Sequence, residues 1–327
     1  MERPAILVAP DKFKQTFRAR EVAAAVGRGL ESGGWEIDLC PVADGGDGTM
    51  ETLLLALGGQ TSGVEVHGPL GTTVKAGFAL LEDGATAVVE VAAASGLALV
   101  AEHERDSEAA SSRGTGELIV AAATAGAQVI LVAAGGSATT DGGRGAIEAI
   151  AAAGGIGDAR LVVLADVNTP FEHAAELFAP QKGADAAAVR RLSKRLDTLA
   201  TTLARDPRGV AMTGAAGGLA GGLWAAFDAR IESGAAFVLK ALDFDIRMRE
   251  ARAVVVGEGA IDKQSLHGKV LGEIATRARQ AGVPCHAVVG RDDLDAFDKR
   301  ILDLQHVIEA TTLDELEAAG LRLAALL

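Results

Sequence analysis

Ala5-Ile6-Leu7-Val8-Ala9-Pro10 opens the chain with a short, unbroken apolar run that ends at a proline. No polar residue alternates along it, which is the pattern of a strand buried on both faces of a parallel sheet. Polar Asp11, Lys12 and Lys14 follow at once. Glu21 to Leu30 then carries Val22, Val26 and Leu30 at helical spacing, and Ile37, Leu39 and Val42 mark a second strand, so the chain begins β-α-β. The far end repeats the theme: a strand at Ala253–Val256, a helix from about Gly268, a buried strand at Pro284–Val289, and a last helix over Thr312–Leu326.

The middle reads differently. A helix is expected over Met50–Leu57, and residues 62–67, 73–81 and 86–91 then look like antiparallel strands. From Gly114 the pattern returns to helix, strand (Val129–Val132), Gly-rich loop (Gly135–Gly143) and helix, with a further strand at Leu161–Leu164 and a helical pattern over Asp185–Leu203. Two Ala-rich helices complete this part. The fold class is therefore α/β: a doubly wound domain formed by both termini, residues 1–60 and 246–327, with a mixed α/β domain, 61–245, inserted in it.

Bulk properties narrow the function. The 327 residues can bury a core without staples, and with 49% hydrophobic but only 3% aromatic residues and no Tyr, packing falls to Ala, Val, Leu and Ile. Cys40 and Cys285 sit far apart in apolar runs, as two buried thiols in a reducing, cytoplasmic compartment would. A formal charge of −13 without any Lys/Arg block argues against a nucleic-acid partner. Leu118–Ala134, the longest apolar stretch, is broken by Gly126 and Gln128, so no membrane span is expected. An anionic substrate would need a local positive island of Lys, Arg and backbone amides within this acidic surface.

Ligands of open α/β sheets bind where loops leave the carboxyl ends of strands. The loops there are Pro10–Lys14, Ala43–Thr49, Gly135–Gly143 and Gly257–Asp262, the last continued by His267-Gly268-Lys269. Glycine lets backbone N–H groups approach an anion, so Gly135, Gly136 and Gly142, with Ser137, Thr139 and Thr140 as hydroxyl donors, suit triphosphate oxygens. Taken singly, such a segment is more often an ordinary turn before a helix. Asp44, Asp47, Asp141, Glu258 and Asp262 recur in these loops, where phosphoryl transfer needs carboxylates for Mg²⁺ and for the attacking hydroxyl. Lys12, Lys14, Lys182 and Lys269 are the counter-charges, and His267 is a candidate base. A P-loop is missing, since Gly268-Lys269 runs into Val270. Gly257-Glu258-Gly259 is not completed as a dinucleotide fingerprint, and no Cys/His cluster suits zinc.

In order along the chain, Ala9-Pro10-Asp11-x-Phe13-Lys14, Ala43-Asp44-Gly45-Gly46-x-Gly48-Thr49, Gly68-Pro69-Leu70-Gly71 and Glu90-x-Ala92-x-Ala94-Ser95-Gly96-Leu97 lead into Gly114-Thr115-Gly116-Glu117. Gly135-Gly136-Ser137-Ala138-Thr139-x-Asp141-Gly142-Gly143, Pro180-Gln181-Lys182-Gly183-Ala184, Gly214–Leu219 and Gly257-Glu258-Gly259-x-Ile261-Asp262 with Gly268-Lys269 follow. This series resembles the bacterial glycerate kinases that lack a P-loop. The resemblance implies a Rossmann-like three-layer domain plus the inserted one, an active site in the cleft between them, and transfer of phosphate from ATP with Mg²⁺ to D-glycerate, 2-phosphoglycerate being favoured. Another short hydroxy acid, or a non-catalytic sugar-acid sensor, are the alternatives; a homodimer is compatible with it.

On that resemblance Lys12, Lys14, Asp44, Asp141, Asp262 and Lys269 are catalytic, with Asp141 and Asp262 on the metal. Asp11, Asp47 and Lys182 bind substrate, while Gly257, Glu258 and Gly259 join the Gly135 loop around the nucleotide. The chain departs from the family's pattern at Lys12, Gln15, Asp47, Thr140 and Ala260, and Gly154–Asp158 stands where the family usually carries several tens more residues.

Overall fold

The computed structural model describes residues 4–13, 16–266 and 269–327. In chain order its strands are β1 (Ile6–Pro10), β2 (Ile37–Leu39), β3 (Gly59–His67), β4 (Thr73–Leu81), β5 (Thr86–Glu90) and β6 (Val129–Ala133). They continue as β7 (Arg160–Ala165), β8 (Arg230–Ser233), β9 (Ala253–Glu258), β10 (Cys285–Val289) and β11 (Leu304–Glu309). They build two sheets in two compact units, residues 1–44 with 235–327 and residues 45–234.

The terminal unit holds a five-stranded sheet in the order β11-β10-β9-β1-β2, parallel throughout. Both faces are covered, as the unbroken apolar runs require. Because successive side chains point to opposite faces, Leu7, Ala9, Val254 and Val256 pack with the helix Val270–Ala281 through Leu271, Ile274 and Ala278. Ile6, Val8 and Val255 pack instead with the helices Ala19–Ser32 and Leu313–Ala324. Three layers result. Cys40 and Cys285 are free and buried in the first of these cores; burial pushes their thiols up to about 11 and about 12, so they behave as small apolar groups.

The second unit is a mixed sheet in the order β3-β4-β5-β6-β7-β8. β3, β4 and β5 form the antiparallel meander expected from their alternation, and β5 turns its other edge to β6 in parallel register. β8, Arg-Ile-Glu-Ser, is a strand that its weak apolar pattern did not announce. The core is Ile130, Val132 and Val163 under the helices Arg113–Thr124, Arg144–Ala152 and Leu219–Phe227.

The division falls at 44/45 and 234/235 rather than near 60 and 246. The helix Thr49–Leu57 packs on β4 and β5 and so leaves the terminal unit. The helix Gly234–Ala241 sends Ala235, Val238 and Leu239 into the core beside Leu7 and Val254. Among the described residues no helix is long and apolar enough to cross a membrane.

Small residues set the helix spacing in the terminal unit. A Cβ on Gly29 would lie 2.0 Å from the carbonyl oxygen of Glu317 and 2.9 Å from the Cα of Gly320, so two backbones meet there. Gly29→Ala is expected to destabilise the protein by about 1–3 kcal/mol as the helices are forced apart, read as a lower midpoint in urea at an unchanged m-value.

Candidate functional site

In the terminal unit the register places Pro10 beside Gly257, so Asp11 and Glu258 emerge together at the carboxyl ends of β1 and β9. Asp11 N donates to the Gly257 carbonyl at 2.9 Å, and the Asp11 carboxylate accepts Lys12 N at 2.7 Å. Beyond β2 the chain stays alongside β1, Val42 N donating to the Pro10 carbonyl at 3.0 Å, and this delivers Asp44 to the same edge. Asp11 and Asp44 are buried. Burial first, then the charge of Asp44, hold the Asp11 carboxyl well above the ordinary carboxylate range; Lys12 opposes this and Glu258 adds to it.

Lys269 answers these acids. Its Nζ lies 2.7 Å from Glu258 Oε1, and Ser265 Oγ donates to Glu258 Oε2 at 3.3 Å. Burial alone would lower the Lys269 ammonium, but Glu258, Asp262 and Asp44 outweigh it and raise it. Asp11, Lys12, Asp44, Glu258, Asp262 and Lys269 are thus one electrostatic cluster, as their loop positions suggested. Gly257 has a packing reason of its own, since a Cβ there would meet Pro10 Cβ at 2.9 Å and the Val288 carbonyl oxygen at 3.0 Å. Lys14, His267 and Gly268 lie outside the described residues.

The second unit carries the glycine-rich loop. Gly136, Gly142 and Gly143 take φ of 68°, 66° and 78°, and Gly135 is pressed against Gly46, 2.6 Å separating its would-be Cβ from the Gly46 Cα. The loops Ala43–Thr49 and Gly135–Gly143 therefore touch through glycine. Asp47 in the first is exposed. Glu90 fixes this loop from the end of β5, its Oε1 accepting Gly48 N at 2.9 Å and Met50 N at 2.8 Å.

Asp141 is 9% exposed. Its Oδ2 accepts Ser112 N and Ser112 Oγ at 2.8 Å each and Gly145 N at 3.1 Å, while Oδ1 accepts Gly143 N at 3.1 Å. Oδ2 thus carries three of the four hydrogen bonds and Oδ1 one, which leaves Oδ1 with capacity for a further partner. Lys182, only 3% exposed, donates from Nζ to Ser137 Oγ at 3.0 Å and to the Thr139 carbonyl at 2.6 Å. The ammonium is thereby engaged with atoms of the loop itself. Thr139 and Thr140 are fully buried, and their hydroxyls have no hydrogen-bond partner among the described residues.

Among the described residues no three carboxylates, imidazoles or thiolates converge on a cation. Magnesium takes one or two protein carboxylates and completes its shell with phosphate oxygens and water. Part-exposed Asp262, a hard oxygen donor at the acidic strand tips, has the chemistry for that role. The sequence singles out Glu90 only as the first residue of a motif with no role assigned, and Ser112 not at all. In sequence they are an ordinary Ser and the last residue of a strand, and only the fold brings them to the loops.

An α/β scaffold with acid–lysine strand tips and a hydroxyl-bearing glycine loop, lacking a P-loop, defines a phosphotransferase acting on an alcohol group. The model of the glycerate kinase family matches residues 6–155 and 151–319, and the chain belongs to that family. It is 37% identical over 328 residues to the glycerate kinase of Bacillus subtilis strain 168, covering 89% of this chain and 86% of that one. To the glycerate 2-kinase of Escherichia coli K12 it is 35% identical, covering 95% and 92%. A crystal structure from Salmonella typhimurium LT2, provisionally named glycerate kinase 2, superposes with a TM-score of 0.82 at 33% identity over 99% of this chain and 98% of that one. The two stretches of the family match meet at 151–155, where the structure passes from the helix Arg144–Ala152 to β7 through Gly154, Gly155 and Gly157, all at positive φ.

The raised Asp11 carboxyl has a consequence for stability. A group whose pKa rises on folding stabilises fully below its unfolded value and loses that contribution as pH climbs through the folded one. Asp11→Asn is therefore expected to raise the thermal midpoint at pH 7–8, with the gain shrinking toward pH 4. Thermal unfolding across pH checks this.

Proposed function

We propose that the chain transfers the terminal phosphoryl group of ATP to the 2-hydroxyl of D-glycerate, giving 2-phosphoglycerate and ADP. The observation that carries this is the acid–lysine cluster at the tips of β1, β2 and β9, in which burial and Asp44 raise the proton affinity of Asp11. A carboxylate of raised pKa is the right kind of base for an alcohol. Family membership supports glycerate as acceptor, and the name of the Escherichia coli relative supports the 2-position.

In the transfer, the glycerate hydroxyl oxygen bonds to the γ-phosphorus, the bond to the bridging oxygen of ADP breaks, and the hydroxyl proton passes to the Asp11–Asp44 pair. Such reactions are accelerated mostly by positioning and charge neutralisation. Lys12, Lys14 and Lys269 hold the carboxylate and phosphates. The amides of Gly135–Gly143 with the hydroxyls of Ser137, Thr139 and Thr140 receive the nucleotide phosphates at the start of the helix Arg144–Ala152. Magnesium, when bound with the nucleotide, supplies further neutralisation of phosphate charge, and Asp262 is the residue that would hold it.

Phosphorus NMR of a reaction of the purified chain with MgATP and D-glycerate is expected to show 2-phosphoglycerate accumulating with ADP; 3-phosphoglycerate would overturn the regiochemistry, and no product the whole reading. Asp44→Asn should lower kcat by about 100-fold or more, with far-UV circular dichroism unchanged.

A further inference from the structure

We infer that Ser112, Asp141 and Lys182 form a buried positioning network that shapes the Ser137–Gly143 loop from behind and does not touch the reacting atoms. The kinetic consequence rests on the kinase reading above; the network itself rests on geometry.

Asp141 gathers donors from two directions. Gly143 N and Gly145 N come from the start of the helix Arg144–Ala152, and both Ser112 groups from the start of the helix Arg113–Thr124. Ser112 Oγ also accepts Ala146 N at 3.0 Å, so one hydroxyl and one carboxylate lock two helix N-termini together. The fit is close: a Cβ on Gly145 would lie 2.2 Å from Ser111 Oγ and 2.7 Å from Arg113 N.

Lys182 secures the preceding part of the loop at Ser137 Oγ and the Thr139 carbonyl. Gly217, at φ 68°, backs the same carbonyl, since its Cβ would stand 2.0 Å from that oxygen, and its own carbonyl accepts Gly142 N at 3.1 Å. With the loop backbone so engaged, the buried hydroxyls of Thr139 and Thr140 are left with hydrogens to donate and no acceptor among the described residues. Buried polar groups are normally paired.

The charged groups around Lys182 are Asp141, Arg195, which reaches the Thr140 carbonyl, and Arg105, whose backbone packs on Gly183. Burial brings the Lys182 ammonium down to about 7, and the charge of Asp141 works against that. As pH rises through neutrality Lys182 loses its charge, and the Thr139 carbonyl loses a charged donor.

The test uses the full chain as wild type, Ser112→Ala, Ser112→Thr, Asp141→Asn and Lys182→Arg. Its readouts are kcat and KM profiles against pH and hydrogen exchange of residues 135–146. Ser112→Ala and Asp141→Asn should speed exchange at Gly143 and Gly145 and lower kcat about tenfold or more while KM for glycerate holds. Ser112→Thr should restore both. The fall in wild-type kcat near neutral pH should move to lower pH in Asp141→Asn, and vanish in Lys182→Arg, which stays charged. Wild-type exchange in Asp141→Asn would overturn the network. So would a raised magnesium requirement with unchanged exchange, which would make Asp141 a metal ligand. A wild-type chain that phosphorylates no short hydroxy acid would end the kinase reading, and the exchange measurements would still decide the network.

Discussion

A parallel strand buried on both faces has little room for a charged side chain before its end. In the terminal sheet every residue of β1, β9 and β10 is buried, so the first charges come at the strand ends: Asp11 and Lys12 just after β1, and Glu258 as the last residue of β9. Parallel register makes all strands stop at one edge, and Asp11, Asp44 and Glu258 arrive there from three of them. The chemistry of the unit follows from its hydrophobicity: the apolar runs that exclude water from the core also concentrate acids at one rim. Burial first, and then the repulsion from Asp44, lift the proton affinity of Asp11, while attraction to Glu258, Asp262 and Asp44 holds the charge on Lys269.

In the second unit the same geometry is applied to backbone instead of charge. β6 ends in Ala133, and the loop beyond it is shaped by contacts too close for a Cβ: Gly135 on Gly46, Gly217 on the Thr139 carbonyl, Gly222 on the Gly142 carbonyl. Glycine there serves mutual approach of loops as much as approach of a ligand. Lys182 and Asp141, the charges closest to this loop, are turned inward to its own atoms. The hydroxyls of Thr139 and Thr140, buried in the same loop, have no partner among the described residues.

Much of this was legible in the chain. Apolar runs located the buried strands, alternation located the β3–β5 meander, and loop position singled out Asp11, Asp44, Glu258 and Lys269 before any contact was known. Other features had no local signal. β8 is four residues of mixed polarity that become a strand only because β7 offers an edge. The unit boundary moved because the helices Thr49–Leu57 and Gly234–Ala241 choose their partners by packing, and helical periodicity says which face is apolar but not what covers it. What Asp141 bonds had no local signal either, since an acid in a glycine loop has several uses and its partner Ser112 lies 29 residues away.

By itself the sequence determined the α/β class, the strand tips that carry chemistry and the family, since these depend on residue type and order, which a short stretch already displays. Only the tertiary structure decided which acids face one another, which lysine is enclosed and which hydroxyls are left unpaired. Those are matters of distance and burial between residues remote in the chain, and the hydrogen-bonding capacity of a side chain is assigned only when all its neighbours are in place.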